Sequence, residues 1–203
     1  MSDDLVLYGN PRSRAQMARW MLEEVGRPYR SVMLDFEKRE HKTPEFLKVN
    51  PMGKVPALTH GDTVVTETGA IIAYLADAFP EANLAPAATD PRRGAYYRWL
   101  FFGAGVFEPA LLEQMLKRPE VDASMKGAVG WGTYDEAVAA LKAAVSPGPY
   151  LLGDRFTAAD LYIGAQLDWA RMFGAPGLTG PEFDGYVARV TDRDAYRRAN
   201  AQA

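Results

Sequence analysis

Over the first 79 positions of the chain, short apolar runs alternate with segments whose apolar residues recur with helical spacing. Apolar runs with the length of buried strands lie at residues 5–8, 31–34, 55–58 and 64–65. Segments whose apolar residues recur with helical spacing lie at 13–25, 43–50 and 67–79. This order of strand, helix, strand, helix, strand, strand and helix predicts a small α/β layer.

In the rest of the chain, the periodic segments all have apolar residues at helical spacing. Residues 80–90 are rich in proline and lack periodicity, so we interpret them as a linker, with Asp90 capping a helix that starts at Pro91. Long helices are predicted over 95–115, 133–145 and 157–173, with shorter ones after them. Two domains are therefore expected, over 1–79 and 91–203, and the second is all-helical.

Composition narrows the possible functions. The chain has 203 residues and a formal net charge of −3, whereas proteins that bind nucleic acid usually carry a basic surplus. It has no cysteine and two histidines, which excludes disulfides, thiolate metal sites and a nucleophilic thiol of its own. No stretch approaches the length of a membrane span and the start lacks a signal-peptide layout, so we expect a cytoplasmic protein without a metal.

Pro56 lies in a run that is otherwise typical of a buried strand, where proline removes a ladder hydrogen bond. One interpretation is a trans proline at a sheet edge. The other is a cis bond between Val55 and Pro56, which would leave the N–H and C=O of Val55 able to pair with an extended peptide. The residues alone leave both interpretations open.

The junction Thr66-Glu67-Thr68 precedes an apolar helix. In one interpretation these residues only stabilise the helix: Thr66 would be the cap, and Glu67 would be a first-turn carboxylate that interacts favourably with the helix dipole. In the other interpretation they bind a ligand: the first N–H groups of the helix would bind its carboxylate, and Glu67 would bind its ammonium group. Together with Val55, these groups would fit a ligand with an amino-acid end and a peptide backbone. Glutathione has both, and it supplies the thiol that the chain lacks.

The stretches "GKVPAL" and "ETGAIIAYL" resemble the glutathione-binding half of the cytosolic glutathione transferases. The likeness covers essentially the whole chain, and it is to a bacterial, theta- or beta-like type without a catalytic cysteine. It implies a thioredoxin-like α/β domain followed by an all-α domain. It also implies glutathione as co-substrate, a homodimer and a role in detoxification.

The resemblance also assigns residues to glutathione. The expected binding residues are His41, Lys54, Val55, Pro56, Glu67 and Thr68. It makes Pro56 cis, pairs Val55 with the cysteinyl backbone, and places Glu67 and Thr68 at the γ-glutamyl end. His41 and Lys54 would lie near the glycyl carboxylate. For His41, a solvated loop position is an open alternative.

The catalytic position is expected in the first strand–helix turn, "LYGNPRSRAQ". Family members activate the thiol there with a tyrosine, serine or cysteine. Arg14 aligns with the cysteine, and Tyr8 is expected to be buried at the end of its strand. Ser13 is therefore the expected catalytic residue, with Arg14 and Asn10 as helpers. Ser13 could instead be a plain helix cap, and the two roles are compatible because both use the same N–H groups.

The motif "GDRFTAADLYIG" is predicted to serve folding. Thr157 would cap its helix with Asp160 three residues on, which is a variant of the capping box. Phe156 and Leu161 would form the hydrophobic staple beside it. The resemblance places the same arrangement in a core helix of the second domain.

The predicted helix over 95–115 is aromatic on every side, which is more than one core face needs. Phe102 and Val106, together with Trp169, are the expected contacts of an apolar electrophile. We therefore expect a glutathione transferase that adds the glutathione thiolate to electrophilic apolar compounds. The alternatives are a glutathione-dependent isomerase and a non-catalytic glutathione-binding module of the same fold.

Overall fold

The computed structural model describes residues 4–119, 121–122 and 124–201, which fall into two units. One, here called the sheet unit, comprises the chain up to Leu84 together with the segment from Arg193 onwards. The other, the helical unit, spans Ala85–Asp192. The sequence analysis placed the last helix in the second domain, whereas in the structure it lies with the first.

The described residues form four strands and nine α-helices. The strands are β1 (Leu5–Gly9), β2 (Arg30–Met33), β3 (Ala57–His60) and β4 (Thr63–Thr66). Helices α1 to α5 are Ala15–Val25, Pro44–Val49, Thr68–Ala78, Arg92–Phe102 and Glu108–Met115. Helices α6 to α9 are Tyr134–Val145, Ala158–Met172, Pro181–Thr191 and Asp194–Asn200. Short 3₁₀ turns occur at Glu40–Lys42, Pro80–Ala82 and Lys126–Ala128. Each predicted strand and helix is present, with its ends shifted by a few residues.

The sheet unit is built on one mixed sheet in the order β2-β1-β3-β4. β1 and β2 are parallel, while β3 is antiparallel to both β1 and β4. β1 and β2 are connected through α1, the arrangement that a parallel pair requires. α1 ends where predicted, because Gly26 adopts φ +71° and donates its N–H to the Leu22 carbonyl at 3.0 Å.

The predicted helix over 95–115 contains a π-helical segment, Gly103–Phe107, between α4 and α5. The N–H of Glu108 donates to the Gly103 carbonyl, and the next residue is Pro109, which has no N–H to continue the ladder. Gln166 of α7 donates its side-chain amide to the same carbonyl at 3.0 Å. The helix therefore changes its hydrogen-bond period where proline would break it.

The helices predicted over 133–145 and 157–173 each begin with a capping box. In α6, Thr133 and Glu136 exchange backbone and side-chain hydrogen bonds, and in α7, Thr157 and Asp160 do the same. Asp90, the other predicted cap, accepts the Arg92 N–H at 2.8 Å, although α4 begins at Arg92. The capping box predicted for "GDRFTAADLYIG" is confirmed.

Candidate functional site

Strand register brings the predicted binding segments to one edge of the sheet, where β1 and β4 end and β3 begins. Tyr8, near the end of β1, pairs with Ala57 at the start of β3, and Ala57 pairs with Thr66 at the end of β4. The turn after β1, the residues before β3 and the start of α3 therefore lie next to one another. Since neighbouring strands are about 4.8 Å apart, these three segments span only about 10 Å across the sheet.

The peptide bond between Val55 and Pro56 is cis. Pro56 comes immediately before β3, which begins at Ala57, so no ladder hydrogen bond of the sheet is lost. This corrects the assumption that Pro56 lies inside the strand. Neither the N–H nor the C=O of Val55 hydrogen-bonds to another described residue. Those two groups are available to an extended peptide at this edge of the sheet.

The loop before Pro56 is held in place by buried Asn50. Its side-chain amide donates to the Lys54 carbonyl at 2.8 Å, and its Oδ1 accepts the Met52 N–H at 3.0 Å. The backbone is therefore fixed while the side chain of Lys54 is exposed. Lys54 makes no ion pair with the other described residues. Its ammonium group is available to a carboxylate.

His41 lies against this loop. A Cβ on Gly53 would come within 2.7 Å of the His41 carbonyl oxygen, so only glycine fits between the two segments. The His41 ring packs edge-on against Phe36, with centroids 5.0 Å apart, and its Nδ1 is buried with no hydrogen-bond partner among the described residues. His41 therefore lies against the loop that carries Lys54, and its half-buried position differs from an open, solvated loop.

Glu67 has an unusual backbone conformation at the start of α3. It has φ +67°, which is uncommon for a residue other than glycine, and it is exposed. It makes no hydrogen bond to the helix through its side chain, and no other described side chain caps this end. Thr66 was predicted as the cap, and this is wrong, because Thr66 is the last residue of β4 and pairs with Ala57. The first N–H groups of α3 are therefore left for a ligand or water.

The β1–α1 turn is tied down by Asn10. Its amide donates to the Leu34 carbonyl at 2.9 Å, and its Oδ1 accepts the Arg12 N–H at 2.9 Å. A Cβ on Gly9 would lie 2.6 Å from that of Ala15, so the strand and helix approach closely. Asn10 is buried, and its side-chain amide is committed to holding the turn. Any effect of Asn10 on chemistry would be through this positioning.

Ser13 lies at the start of α1 and is half-buried. Its hydroxyl accepts the Ala15 N–H at 3.2 Å and donates to the Asn10 carbonyl at 2.7 Å. Arg14 is the N-cap residue of α1, and its side chain makes no capping hydrogen bond. Tyr8, which was expected to be fully buried, is only half-buried, and its ring lies 5.7 Å from that of Phe46. Ser13 has the hydroxyl closest along the chain to the α1 start.

Comparisons with known proteins agree with this geometry. The model described as "Glutathione S-transferase, N-terminal domain" matches residues 3–77, and "Glutathione S-transferase, C-terminal domain" matches residues 108–201. Glutathione S-transferase 1 of Dianthus caryophyllus is 32% identical over 159 residues, covering 76% of this chain and 72% of the relative. The chain belongs to the glutathione S-transferase family. The predicted family, fold class and enzyme class, glutathione transferase, are confirmed.

Two further proteins similar to this chain are informative. A maleylpyruvate isomerase of a Ralstonia species is 31% identical over 186 residues, covering 86% of this chain and 85% of the relative. The crystal structure of a glutathione transferase homologue from sulfitobacter with bound glutathione has a TM-score of 0.80. It is 27% identical and covers 98% of each chain. The proteins similar to this chain thus include one named as an isomerase as well as ones named as transferases.

The expected electrophile contacts lie in the helical unit of this glutathione S-transferase. Phe102 ends α4, Val106 is in the π-helical segment and Trp169 is in α7, and all three are half-buried. Phe102 packs edge-on against Trp99, with ring centroids 5.3 Å apart, and Trp169 packs on Phe173 at 4.7 Å. Phe102 and Trp169 are thus each part of an aromatic pair within the helical unit, whereas Val106 is aliphatic.

The sequence analysis missed a groove of about 620 Å³ between α5 and α6 in the helical unit. Its lining includes the cationic side chains of Lys117 and Arg118 together with Val129 and Tyr134. Burial and Asp135 raise the pKa of Tyr134 to about 12, so its phenol stays protonated. The groove is formed partly by a segment without apolar periodicity, which is why no pattern in the sequence revealed it.

The described part of the chain offers neither a metal-ligand cluster nor a membrane-spanning helix. No cluster of three or more histidine, aspartate or glutamate side chains there could hold a metal ion. None of the helices there is both long and apolar enough to cross a membrane.

Proposed function

We propose that this protein is a glutathione S-transferase that adds the thiolate of glutathione to electrophilic apolar compounds. The observation that carries the proposal is the edge of the sheet at which β1 ends and β3 begins. Unpaired backbone groups of Val55, the uncapped start of α3 and the exposed carboxylate of Glu67 all lie there. These groups match the peptide backbone, the carboxylate and the ammonium group of one ligand.

Each end of glutathione would be held by a different part of this edge. The N–H and C=O of Val55 pair with the cysteinyl backbone, as in strand addition. The Thr68 N–H and its neighbours at the helix start bind the γ-glutamyl carboxylate, and Glu67 binds the ammonium group. Lys54, with His41 beside it, binds the glycyl carboxylate.

The thiol would lie at the start of α1, near Ser13. A thiol with a pKa of about 8.5 is only ~3% ionised at pH 7, and the thiolate is the nucleophile. Lowering that pKa to about 6.5 raises the ionised fraction to ~75% and needs roughly 2.7 kcal/mol of preference for the anion. The Ser13 hydroxyl supplies part of it by turning from the Asn10 carbonyl to donate to sulfur. The positive end of α1 supplies another part, with Arg14 beside it.

The second substrate would contact apolar side chains of the helical unit. We assign this role to Phe102, Val106 and Trp169, which are aromatic or aliphatic and half-buried. We further propose that the protein acts in the cytoplasm as a homodimer in the detoxification of such electrophiles.

Two other functions are candidates. The likeness to a maleylpyruvate isomerase over most of both chains favours a glutathione-dependent isomerase as the second possibility. Such an enzyme would use the same thiolate but return it unchanged at the end of the cycle. A non-catalytic glutathione-binding module is the third, in which the edge of the sheet binds glutathione without turnover.

Binding and turnover measured on the same preparation test the proposal. We expect glutathione binding by calorimetry and conjugation of a chloronitrobenzene, with both lost when excess S-alkylated glutathione occupies the site. Glu67→Ala should weaken binding by about tenfold or more, because a charge-assisted hydrogen bond is worth about 1.5–3 kcal/mol. Asp62→Ala, which removes an exposed carboxylate from the β3–β4 turn, is the matched control.

The outcomes separate the three functions. Binding with conjugation supports the transferase, and binding with isomerisation of an unsaturated diacid but no conjugation supports the isomerase. Binding without either reaction indicates the binding module. A protein that does not bind glutathione contradicts all three.

A further inference from the structure

The last helix of the chain packs on α1, the helix whose start carries Ser13. Trp20 of α1 is buried and meets Tyr196 of α9 edge-on, with ring centroids 4.9 Å apart. Eight of the eleven residues of α1 are buried, so this helix is covered on more than the face that its apolar residues predict. α9 supplies the additional cover, although the family model for the C-terminal domain includes it.

An ion pair with little exposure fixes the beginning of α9. Arg193 donates from Nε to Oε1 of Glu24 at 2.6 Å and from Nη2 to Oε2 at 2.7 Å. The Glu24 side chain is only 5% exposed and also accepts the Trp20 indole N–H at 2.9 Å. Three donors thus converge on one buried carboxylate, and a fork of this kind fixes orientation as well as distance.

A second pair fixes the end of α9. Arg198 donates from Nε to Oε2 of Glu23 at 2.8 Å and from Nη2 to the Glu23 carbonyl at 2.9 Å. Tyr29 donates its hydroxyl to the other oxygen of the same carboxylate at 2.7 Å. Burial raises the pKa of Glu23, but the hydrogen bonds from Arg198 and Tyr29 outweigh it and leave the pKa below its usual value. The carboxylate is therefore ionised and available to the pair at neutral pH.

We propose that docking of α9 on α1 is coupled to glutathione binding, so that the last helix acts as a latch on the helix that bears the thiol site. The inference rests on the proposed function. The two pairs hold the C-terminal half of α1, and the Asn10–Ser13 turn holds its start. An undocked α9 would expose Trp20 and deprive the Glu24 carboxylate of its cation, and α1 would shift in response.

Coupling of this kind is reciprocal. If undocking of α9 weakens glutathione binding, then bound glutathione must stabilise the docked form by the same factor. Ligand at the start of α1 should therefore slow hydrogen exchange in α9, although no residue of α9 is assigned to the ligand. A helix that merely packs on the fold would not respond.

The test measures glutathione affinity and amide hydrogen exchange of residues 194–200 in the full chain. In the parent, saturating glutathione should slow exchange in α9. Glu24→Gln keeps the size of the side chain and removes its charge, so α9 should exchange faster. We expect glutathione affinity to fall by about fivefold or more, the usual lower range of such coupling.

Glu182→Gln is the matched control, because Glu182 pairs with Lys142 at 3.3 Å between α8 and α6 of the helical unit. It should leave both measurements unchanged. If Glu24→Gln does not fold, Arg193→Lys serves instead, since it keeps the charge but loses the two-pronged contact.

Two results would overturn the proposal while leaving the proposed function intact. One is faster exchange in α9 of the variant with unchanged glutathione affinity. The other is exchange in the parent that does not respond to bound glutathione. A parent that fails to bind glutathione at all contradicts the proposed function, and this inference with it.

Discussion

Side chains of the protein cap the first turn of α7, whereas no described side chain caps the first turn of α3. At α7, Asp160 accepts the Thr157 N–H at 2.9 Å and the Thr157 hydroxyl at 2.8 Å, and Thr157 caps the helix in return. At α3, Glu67 adopts φ +67°, is exposed and makes no capping bond. Both starts have an acidic residue within the first turn or beside it, so residue type alone does not distinguish them.

The difference between the two starts separates a structural site from a binding site. Asp160 is fully buried, and it also accepts the Leu151 N–H at 2.7 Å and the Tyr186 hydroxyl at 3.1 Å. All four donors come from the protein, so no capacity is left for a ligand. Glu67 has a strained backbone, which costs stability and is found at ligand sites, and its carboxylate has no partner among the described residues. A helix start that satisfies itself stabilises the fold, whereas one left open can bind.

The largest expected effect comes from removing the buried box. Asp160→Ala leaves four donors without an acceptor, and each unsatisfied buried group costs about 1–3 kcal/mol. We expect the free energy of unfolding to fall by about 3 kcal/mol or more, measured by denaturant titration. The protein that remains folded should bind glutathione with parental affinity. A selective loss of binding would show that α7 contributes to the ligand site.

The start of α1 is intermediate between the two, because Ser13 caps weakly and also faces the proposed thiol. Ser13→Ala should reduce turnover at pH 7 by about tenfold, which corresponds to about 1.4 kcal/mol. The kinetic pKa of bound glutathione should rise, and activity should recover at high pH as the thiol ionises without help. Affinity for glutathione should change little at neutral pH.

An unchanged rate and an unchanged kinetic pKa would reduce Ser13 to a cap. Arg14 would then be the next residue to replace, since it lies at the same helix start. Thr133→Ala, at the start of α6, is the control for loss of a capping hydroxyl without any link to the thiol.

The smallest effect is expected at the exposed capping box of α6. Glu136 accepts the N–H of Thr133 at 2.8 Å and its hydroxyl at 3.0 Å, and the bond from the backbone N–H is the main reason that its pKa lies below the usual value. Because the pKa is lower in the folded state, the stabilisation is present above the unfolded pKa of about 4.3 and is lost as the pH falls below it. Glu136→Gln should therefore lower stability slightly at pH 7 and not at all at pH 2. A loss as large as that of Asp160→Ala would mean that burial does not distinguish the boxes.

Local chemistry made much of the fold and of the candidate site predictable. Pro56 marked a backbone that could pair with a peptide, and Thr157 with Asp160 marked a capped helix, because each depends on residues a few positions apart. Glu67 was predicted at the helix start, but its positive φ was not, because the residue type does not specify that conformation. Thr66 was wrongly predicted as the cap for the same reason.

Long-range contacts were the part that could not be predicted. Glu24 and Arg193 are 169 residues apart, and nothing in either local pattern specifies that they meet. Gln166 donates to the Gly103 carbonyl of the π-helical segment across 63 positions of sequence, and no local pattern specifies that contact either. Such pairings are set by packing, and a single sequence carries no local record of them.

Glu67→Gly tests most directly whether the start of α3 is kept open for glutathione. Both the stability and the glutathione affinity of this variant are measured. Glycine adopts positive φ readily, so the substitution relieves the backbone while removing the carboxylate. We expect the unfolding free energy of the variant to equal or exceed that of the parent, and its glutathione affinity to be reduced by about tenfold or more. Lower stability with unchanged affinity would contradict this expectation, because Glu67 would then serve the fold and not the ligand.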